Sequence, residues 1–247
     1  MSKKQIAILS LAFIIIISVC VYFVFFRLNK KTSETPNNQG QTQTLSIEDK
    51  KISDNTAPFK IDITYPEISG QDEFNALIKN TIDKQISDFK TNSLENDKAV
   101  KETDPVTYAN YPREYDLLIS YEKGQVDQSL ASIVLDAYSF TGGAHGSQSH
   151  IVFNYDFKNK KEITLADIFS GQENYLQKIS NYCVADLSAQ ITKNAGNTDG
   201  TWINDGAGPV AENFSKFLIN KDSITFYFEQ YQVAPYAWGN FEVVMPR

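Results

Sequence analysis

The sequence feature that most constrains the fold is a run of 21 residues without a charge, IAILSLAFIIIISVCVYFVFF, at residues 6–26. At about 1.5 Å per residue, a helix of this length spans roughly 30 Å, the thickness of a bilayer's hydrocarbon core. A cleaved signal peptide usually has a shorter apolar stretch that ends in small residues. This run ends in large side chains instead. We therefore predict a short cytoplasmic start and an uncleaved transmembrane anchor over residues 1–27.

The location of the remaining residues follows from their number. Basic residues are nearly balanced on the two sides of the run, so they do not set its orientation. Only MSKKQ precedes the run, and large domains translocate largely regardless of nearby charge. We therefore expect a single-pass protein of the cell membrane whose body lies outside the cytoplasm. Residues 28–56 contain no aromatic residue and are rich in polar ones, which predicts a flexible linker.

The charge of the body bears on the class of partner. Three of the 23 basic residues lie at or before Arg27, so the rest of the chain carries 20 basic against 30 acidic residues, a net charge of −10. Nucleic acid is not an expected partner of such a surface. A basic protein is favoured electrostatically, although solubility alone would also explain the charge.

The hydrophobic pattern after residue 56 alternates between strands and helices. FKIDITYPEI has the period of a half-buried strand, and apolar residues then recur at spacings of three and four, which predicts a helix over residues 71–92. Residues 92–112 are polar and predict a loop. Residues 114–140 predict a strand hairpin around Lys123 and Gly124. A second helical pattern covers residues 165–193 and places Cys183 on its apolar face.

The C-terminal residues predict a hairpin around residues 220–222 and a last strand, FEVVMP. Because the helices are isolated between groups of strands, we predict an α+β fold with antiparallel sheets packed against two long helices. The repeated order of strand, helix and strands suggests an N-terminal half over residues 57–140 and a C-terminal half over residues 141–247.

Both histidines of the chain lie in one short segment, TGGAHGSQSH, after a predicted strand. Zinc sites need three or four ligands, and histidines five positions apart share neither a helix face nor a strand face. We therefore predict no metal and no cofactor, and we name no catalytic residue. Gly142 and Gly143 permit positive φ angles and hence a tight reversal, in which Thr141 and His145 would bond loop backbone. A Ser/His/Asp arrangement at His145 is not excluded by composition, although no G-x-S-x-G occurs.

An aromatic segment near the C-terminus is the second candidate surface. Exposed tyrosine and tryptophan are typical anchors of protein interfaces, and such rings also stack on sugars. The alternative is that these rings fill the core of the final hairpin; Tyr231, Pro235 and Tyr236 are the ones most expected to be exposed. The candidate partner-binding residues are Thr141, His145, Tyr231, Pro235, Tyr236 and Trp238.

Two stretches, AYSFTGGAHGSQSH and ITFYFEQYQVAPYAWGNFEVVMP, resemble a family of bacterial extracytoplasmic domains. The family occurs in lysozyme-sensing anti-sigma factors of the RsiV type and beside the catalytic unit of peptidoglycan deacetylases of the PdaC type. The resemblance covers about residues 57–247. It implies a domain that recognises a protein, such as a lysozyme-like one, or a glycan at the cell envelope.

The sequence also departs from both kinds of protein. The anti-sigma factors have a cytoplasmic sigma-binding segment, and the deacetylases have a separate catalytic domain with its own Asp and His metal motifs. We find neither pattern in this sequence. The expectation is therefore binding without catalysis, and the rival expectation is an envelope hydrolase or deacetylase that uses His145.

Overall fold

The structure is a computed structural model that describes residues 45–110, 113–195 and 200–247. Its fold is α+β, as predicted. The predicted anchor lies outside the described residues, and among those described no helix is both long and apolar enough to cross a membrane. The strands are β1 (Ile47–Asp54), β2 (Phe59–Ile68), β3 (Tyr115–Val126), β4 (Leu130–Phe140), β5 (Ser147–Asp156), β6 (Lys161–Glu162), β7 (Phe217–Ile219), β8 (Ser223–Phe228) and β9 (Phe241–Pro246). The α-helices are α1 (Asp72–Thr103), α2 (Pro105–Asn110), α3 (Leu165–Ile168), α4 (Tyr175–Ala195) and α5 (Thr201–Gly206).

The first sheet has the order β1-β2-β3-β4-β5-β6, and it is mixed rather than antiparallel. Strands β2 and β3 are parallel because α1 connects them, and a helical crossover returns the chain to the same end of the sheet. The other pairs in this sheet are antiparallel. The prediction of antiparallel sheets therefore holds only for the second sheet, which has the order β7-β8-β9.

Strand β1 corrects the predicted linker over residues 28–56. It pairs along its whole length with β2, from Ile47 opposite Ile68 to Asp54 opposite Ile61. Its sequence, IEDKKISD, is mostly polar because β1 is an edge strand, and edge strands commonly carry charged side chains. The linker prediction is wrong for residues 47–54, and residues 28–44 lie outside the described part of the chain.

Helix α1 is longer than predicted and extends through much of the expected loop over residues 92–112. Its apolar face packs on the sheet through Phe74, Ile78, Ile82 and Phe89, as the spacing predicted. Beyond Phe89 the regular apolar spacing stops, although the helix continues to Thr103. Its far end is attached to the sheet by Asp97, which accepts hydrogen bonds from the hydroxyls of Tyr108 (2.9 Å) and Tyr115 (2.6 Å).

The second sheet forms its own core with α4. The predicted hairpin around residues 220–222 and the last strand are confirmed. Cys183 is fully buried in this core, as predicted, and its burial raises the pKa of the thiol to about 12. The single helix predicted over residues 165–193 is two helices, α3 and α4. They are separated by Gly171 and Asn174, which both have positive φ angles.

The boundary between the halves differs from the predicted one at residues 140 and 141. The first sheet continues through β5 and β6 to Glu162, because TGGAH is a hairpin connection between β4 and β5. We therefore define the N-terminal half as residues 45–162 and the C-terminal half as residues 163–247. Strands β7 and β8 lie against the first sheet, where Leu218 of β7 and Tyr227 of β8 pack on Val134 and Val152.

Candidate functional site

The TGGAH connection is held by bonds from the N-terminal half. Asn96 on α1 donates from its side-chain amide to both the carbonyl and the hydroxyl oxygen of Thr141, at 3.1 Å each. Gly142 has a φ of 93° and lies so close to Tyr115 that a Cβ would come within 2.9 Å of its ring. The predicted positive φ is therefore confirmed at Gly142. Thr141 bonds a helix side chain rather than loop backbone.

The loop also meets the aromatic segment, which lies about ninety residues later. The rings of His145 and Tyr236 are stacked with centroids 3.8 Å apart, and Tyr231 lies 5.6 Å from Tyr236. The Tyr236 hydroxyl donates to the carbonyl of Gly146 at 2.8 Å. We call His145, Tyr236 and Tyr231 the aromatic row. The structure thus brings three of the predicted site residues into one surface feature.

Exposure separates the members of the aromatic segment. Tyr231 is 57% exposed and Trp238 is 38% exposed, whereas Tyr227 is only 2% exposed and packs between the two sheets. Pro235 is exposed and Tyr236 is half-buried under His145. The alternative of core filling therefore applies to Tyr227, and the expected exposure of Tyr231 and Pro235 is observed.

A residue that the sequence reasoning missed, Gln232, positions this segment. Its side-chain amide donates to the carbonyls of Gly206 (2.9 Å) and Asn213 (3.0 Å), and its side-chain oxygen accepts from the backbone N–H of Glu229 (3.0 Å). These bonds hold the turn on which Tyr231 adopts a φ of 67°. A bulky residue in this left-handed region is disfavoured, so the turn depends on such bonds.

A second feature lies on the face of the first sheet opposite α1. Successive strand residues point to opposite faces, so the positions between the core residues of β2, β3 and β4 form this face. The C-terminal half covers one part of it, and the other part is a shallow open cavity of about 400 Å³. We call it the sheet cleft; its side chains come from Asp62, Thr64, Leu118, Ser120, Asp136, Tyr138 and Gln148.

The sheet cleft is continuous with the aromatic row through Gly146. A Cβ at this glycine would overlap the ring of Tyr138, and its carbonyl accepts the hydroxyl of Tyr236. Burial raises the pKa of the Tyr138 hydroxyl, and the nearby charge of Asp116 raises it further. The two features therefore form one surface, with aromatic rings at one end and carboxylates at the other.

The two histidines occupy different environments. His150 is buried against Tyr227, with ring centroids 4.6 Å apart, and its backbone N–H donates to Glu229 Oε1 at 2.8 Å. His145 is exposed, and Nδ1 of its ring lies 3.0 Å from the carbonyl of Gly146. Within the described ranges, no three His, Cys, Asp or Glu side chains are grouped closely enough to hold a metal ion.

Two known families match separate parts of the chain. The family described as Deacetylase PdaC matches residues 52–148, and the family described as a protein of unknown function, DUF3298, matches residues 166–247. The chain carries a PdaC-type domain followed by a DUF3298 domain. The resemblance to an extracytoplasmic domain of unknown function beside PdaC-type units is thereby confirmed. Its extension to anti-sigma factors of the RsiV type stays a prediction.

Individual curated relatives match large parts of the chain. The peptidoglycan-N-acetylmuramic acid deacetylase PdaC of Bacillus subtilis is 28% identical over 225 residues, which are 90% of this chain and 45% of that protein. An esterase of Mycobacterium tuberculosis is 29% identical over 127 residues, which are 51% of this chain and 53% of the esterase. The chain thus spans about half the length of the curated relatives it matches.

A solved structure supports the fold. The crystal structure of a DUF3298 family member from Bacteroides fragilis has a TM-score of 0.53 and 21% identity. The match covers 83% of this chain and 91% of that one. At this level of identity, the likeness concerns the arrangement of the elements alone.

Proposed function

We propose that this chain is a non-enzymatic binding domain of the cell envelope, anchored by residues 6–26 and facing outward. In this proposal it recognises a basic, lysozyme-like protein or a cell-wall glycan. The observation that carries the proposal is the aromatic row, which joins the TGGAH loop to the C-terminal turn and leaves Tyr231 exposed beside a carboxylate-lined cleft. Exposed tyrosines that are rigidly held are effective anchors because little entropy is lost when they bind.

The comparisons support a role connected with peptidoglycan. The Bacillus subtilis relative is named for its action on peptidoglycan, and its match covers nearly all of this chain. A domain that accompanies such an activity is well placed to bind the cell wall or a protein that attacks it. The negative charge of the body supports a basic protein as the first partner to test.

The second candidate is the hydrolase or deacetylase that uses His145, because both relatives described above are named as enzymes that cleave acyl groups. A catalytic histidine needs a substrate-facing nitrogen and a polar partner that orients its ring. The carbonyl of Gly146, 3.0 Å from Nδ1 of His145, is a polar partner of this kind, and the stack with Tyr236 covers one face of the ring. Loss of ester or amide hydrolysis in His145→Ala, with the fold intact, would favour this candidate over the first.

Binding is tested by titrating the full chain in mild detergent with a basic muramidase at two salt concentrations. Tyr231→Ala should weaken affinity roughly thirtyfold, the effect of losing an anchor of about 2 kcal/mol. Tyr182→Ala is the matched control, since Tyr182 is a similarly exposed tyrosine on α4 that bonds the carbonyl of Val244. If the wild-type chain does not bind the muramidase, a lysozyme-like partner is ruled out. Equal affinity of the wild type, Tyr231→Ala and Tyr182→Ala would show that the aromatic row does not contribute to binding.

The anchor is tested separately by adding protease to intact cells or protoplasts. We expect digestion of the body and retention of a short membrane fragment that contains residues 6–26. A processed, freely soluble form that starts well after Phe26 would show a cleaved signal peptide instead.

A further inference from the structure

The sheet cleft has an apolar floor between two carboxylates. Leu118 and Tyr138 are directly opposite each other in the β3–β4 register and are 41% and 37% exposed. Asp62 is the partner of Leu118 on β2, and Asp136 lies two positions from Tyr138 on the same face of β4. Because neighbouring strands lie about 4.8 Å apart, side chains on β2 and β4 are separated by roughly 10 Å. The floor is thus long enough for an extended side chain.

The two carboxylates face this floor, and no ion pair to either is formed by the described residues. Asp136 accepts one hydrogen bond, from the side-chain amide of Gln148 at 2.8 Å, and an amide leaves the negative charge in place. Among the described residues, no lysine or arginine forms an ion pair with Asp62 or Asp136, although Lys60 lies 4.0 Å from the neighbouring Asp116. The cleft therefore combines negative charge, an exposed aromatic ring and free acceptor positions.

We propose that the sheet cleft binds an arginine side chain of a basic protein partner, with the guanidinium on Asp136 and the methylene chain on Leu118. This inference rests on the proposed function for the existence of such a partner. Arginine fits better than lysine because its planar fork bonds a carboxylate through two N–H groups and stacks on an aromatic ring such as Tyr138. Asp62, at the other end of the floor, faces a second cation of the same segment. A neutral glycan would also contact the ring and donate hydroxyl hydrogen bonds to the carboxylates, but it would leave both negative charges uncompensated.

The test uses small probes on the full chain in detergent micelles. The probe is an acetylated, amidated Gly-Arg-Gly peptide, and the matched probe carries citrulline, which keeps the shape of arginine without its charge. The arginine peptide should shift the NMR signals of the Tyr138 ring, and its affinity should fall at least about tenfold in Asp136→Asn. Asp83→Asn, on the solvent-facing side of α1, should bind as the wild type does. Equal binding of the two probes, or binding of a chito-oligosaccharide alone, would overturn the proposal.

Titrations with the basic muramidase distinguish failure of this inference from failure of the proposed function. If Tyr231→Ala weakens muramidase binding and Asp136→Asn does not, the aromatic row binds the partner and the cleft inference is wrong. If the wild type does not bind muramidase but binds the arginine peptide through Asp136, the lysozyme-like partner is wrong and the cleft inference stands.

Discussion

The two sheets of the molecule differ in how much of their surface other elements cover. Both faces of the second sheet contact other elements: Phe226 and Phe228 pack in the core with α4, and Tyr227 packs against the first sheet, while Val244 on β9 is left exposed. Its edge strand β9 is bonded by side chains as well, since Tyr182 and Gln190 on α4 donate to carbonyls of this strand. The first sheet is covered by α1 on one face, and its other face stays partly open as the sheet cleft.

Under the proposed function, this difference gives each half a separate role. The N-terminal half presents the cleft and His145, whereas the C-terminal half supports the cleft and adds Tyr231 and Tyr236 of the aromatic row at its rim. A surface that must bind a partner needs a rigid support, and side chains from both halves form that support. Ser132 and Asn154 on the first sheet bond backbone groups at both ends of β7, at 2.7 and 2.8 Å. We therefore expect the halves to unfold together.

The largest expected effect comes from opening the core of the C-terminal half with Phe226→Ala. Phe226 is fully buried against Phe214 and Phe217, so its truncation should cost about 3–5 kcal/mol of unfolding free energy. Denaturation of the full chain should be followed by fluorescence, because both tryptophans lie in the C-terminal half, and by far-UV circular dichroism, to which α1 contributes strongly.

Both signals should shift together if the halves form one cooperative unit. A shift in fluorescence alone would show that the halves unfold independently. Val244→Ala is the control on the adjacent strand, since Val244 is exposed and its loss should change little.

A smaller effect is expected from Ser132→Ala, which removes a bond between the halves without opening a core. The backbone N–H of Ile219 would stay buried without its acceptor, at a cost of about 1–3 kcal/mol. The fluorescence and dichroism transitions should then separate, because this bond couples the sheets. Ser149→Ala, at an exposed position of β5, should leave both unchanged. Coincident transitions in Ser132→Ala would mean that the apolar contacts alone join the halves.

Gly146→Ala, at the junction between the aromatic row and the sheet cleft, should have a smaller effect than Ser132→Ala. A Cβ at Gly146 would overlap the Tyr138 ring, so the ring must move. This movement should lower the free energy of unfolding by about 1 kcal/mol. Gly143→Ala is the matched change in the same loop, where the nearest atom is 3.9 Å away. Thermal melts should show a lower Tm for the first variant only. Equal Tm values of the two variants, together with unchanged NMR signals of the Tyr138 ring, would contradict the contact between Gly146 and Tyr138.

The sequence predicts elements well where apolar spacing is regular, as in the first turns of α1 and in the final hairpin. The sequence does not predict β1, whose side chains are mostly polar or charged. The pairing of β1 with β2 is made by backbone hydrogen bonds, which leave no pattern in the side chains. The predicted turn of the first hairpin, at Lys123 and Gly124, is also wrong. Gly124 lies within β3, where the carbonyl of Ile219 approaches too closely for any side chain, and the turn follows Val126. That approach comes from the other half of the molecule and leaves no local signal.

The candidate site shows the same limit. Tyr231 and His145 stood out from the sequence because aromatic and histidine side chains are conspicuous in short turns. Asp62, Asp136 and Tyr138 did not, because alternation in a strand shows that two faces differ but not which face another element covers. Only the position of β7 on the first sheet decides which polar residues are buried and which line the cleft.

The smallest expected effect concerns Asp97, the ionised anchor of the N-terminal half. Hydrogen bonds from Tyr115 and Tyr108 and the charge of Arg113 lower the pKa of this carboxyl. A lowered folded-state pKa stabilises the fold above the ordinary value of about 3.9, and this contribution is lost as the pH falls through the folded-state pKa.

Asp97→Asn should therefore cost at most about 1 kcal/mol at pH 7, since the site is partly exposed. The gap from the wild type should close below about pH 4. Glu95→Gln, on the exposed side of the same helix, is the control for loss of one charge. Because Asp97 joins α1 and α2 to β3, the substitution should lower the midpoint of the circular-dichroism transition more than that of the fluorescence transition if the halves can separate. It should lower both midpoints equally if they cannot. A gap that stays constant from pH 7 to pH 3 would mean that Asp97 acts through its shape and not through its charge.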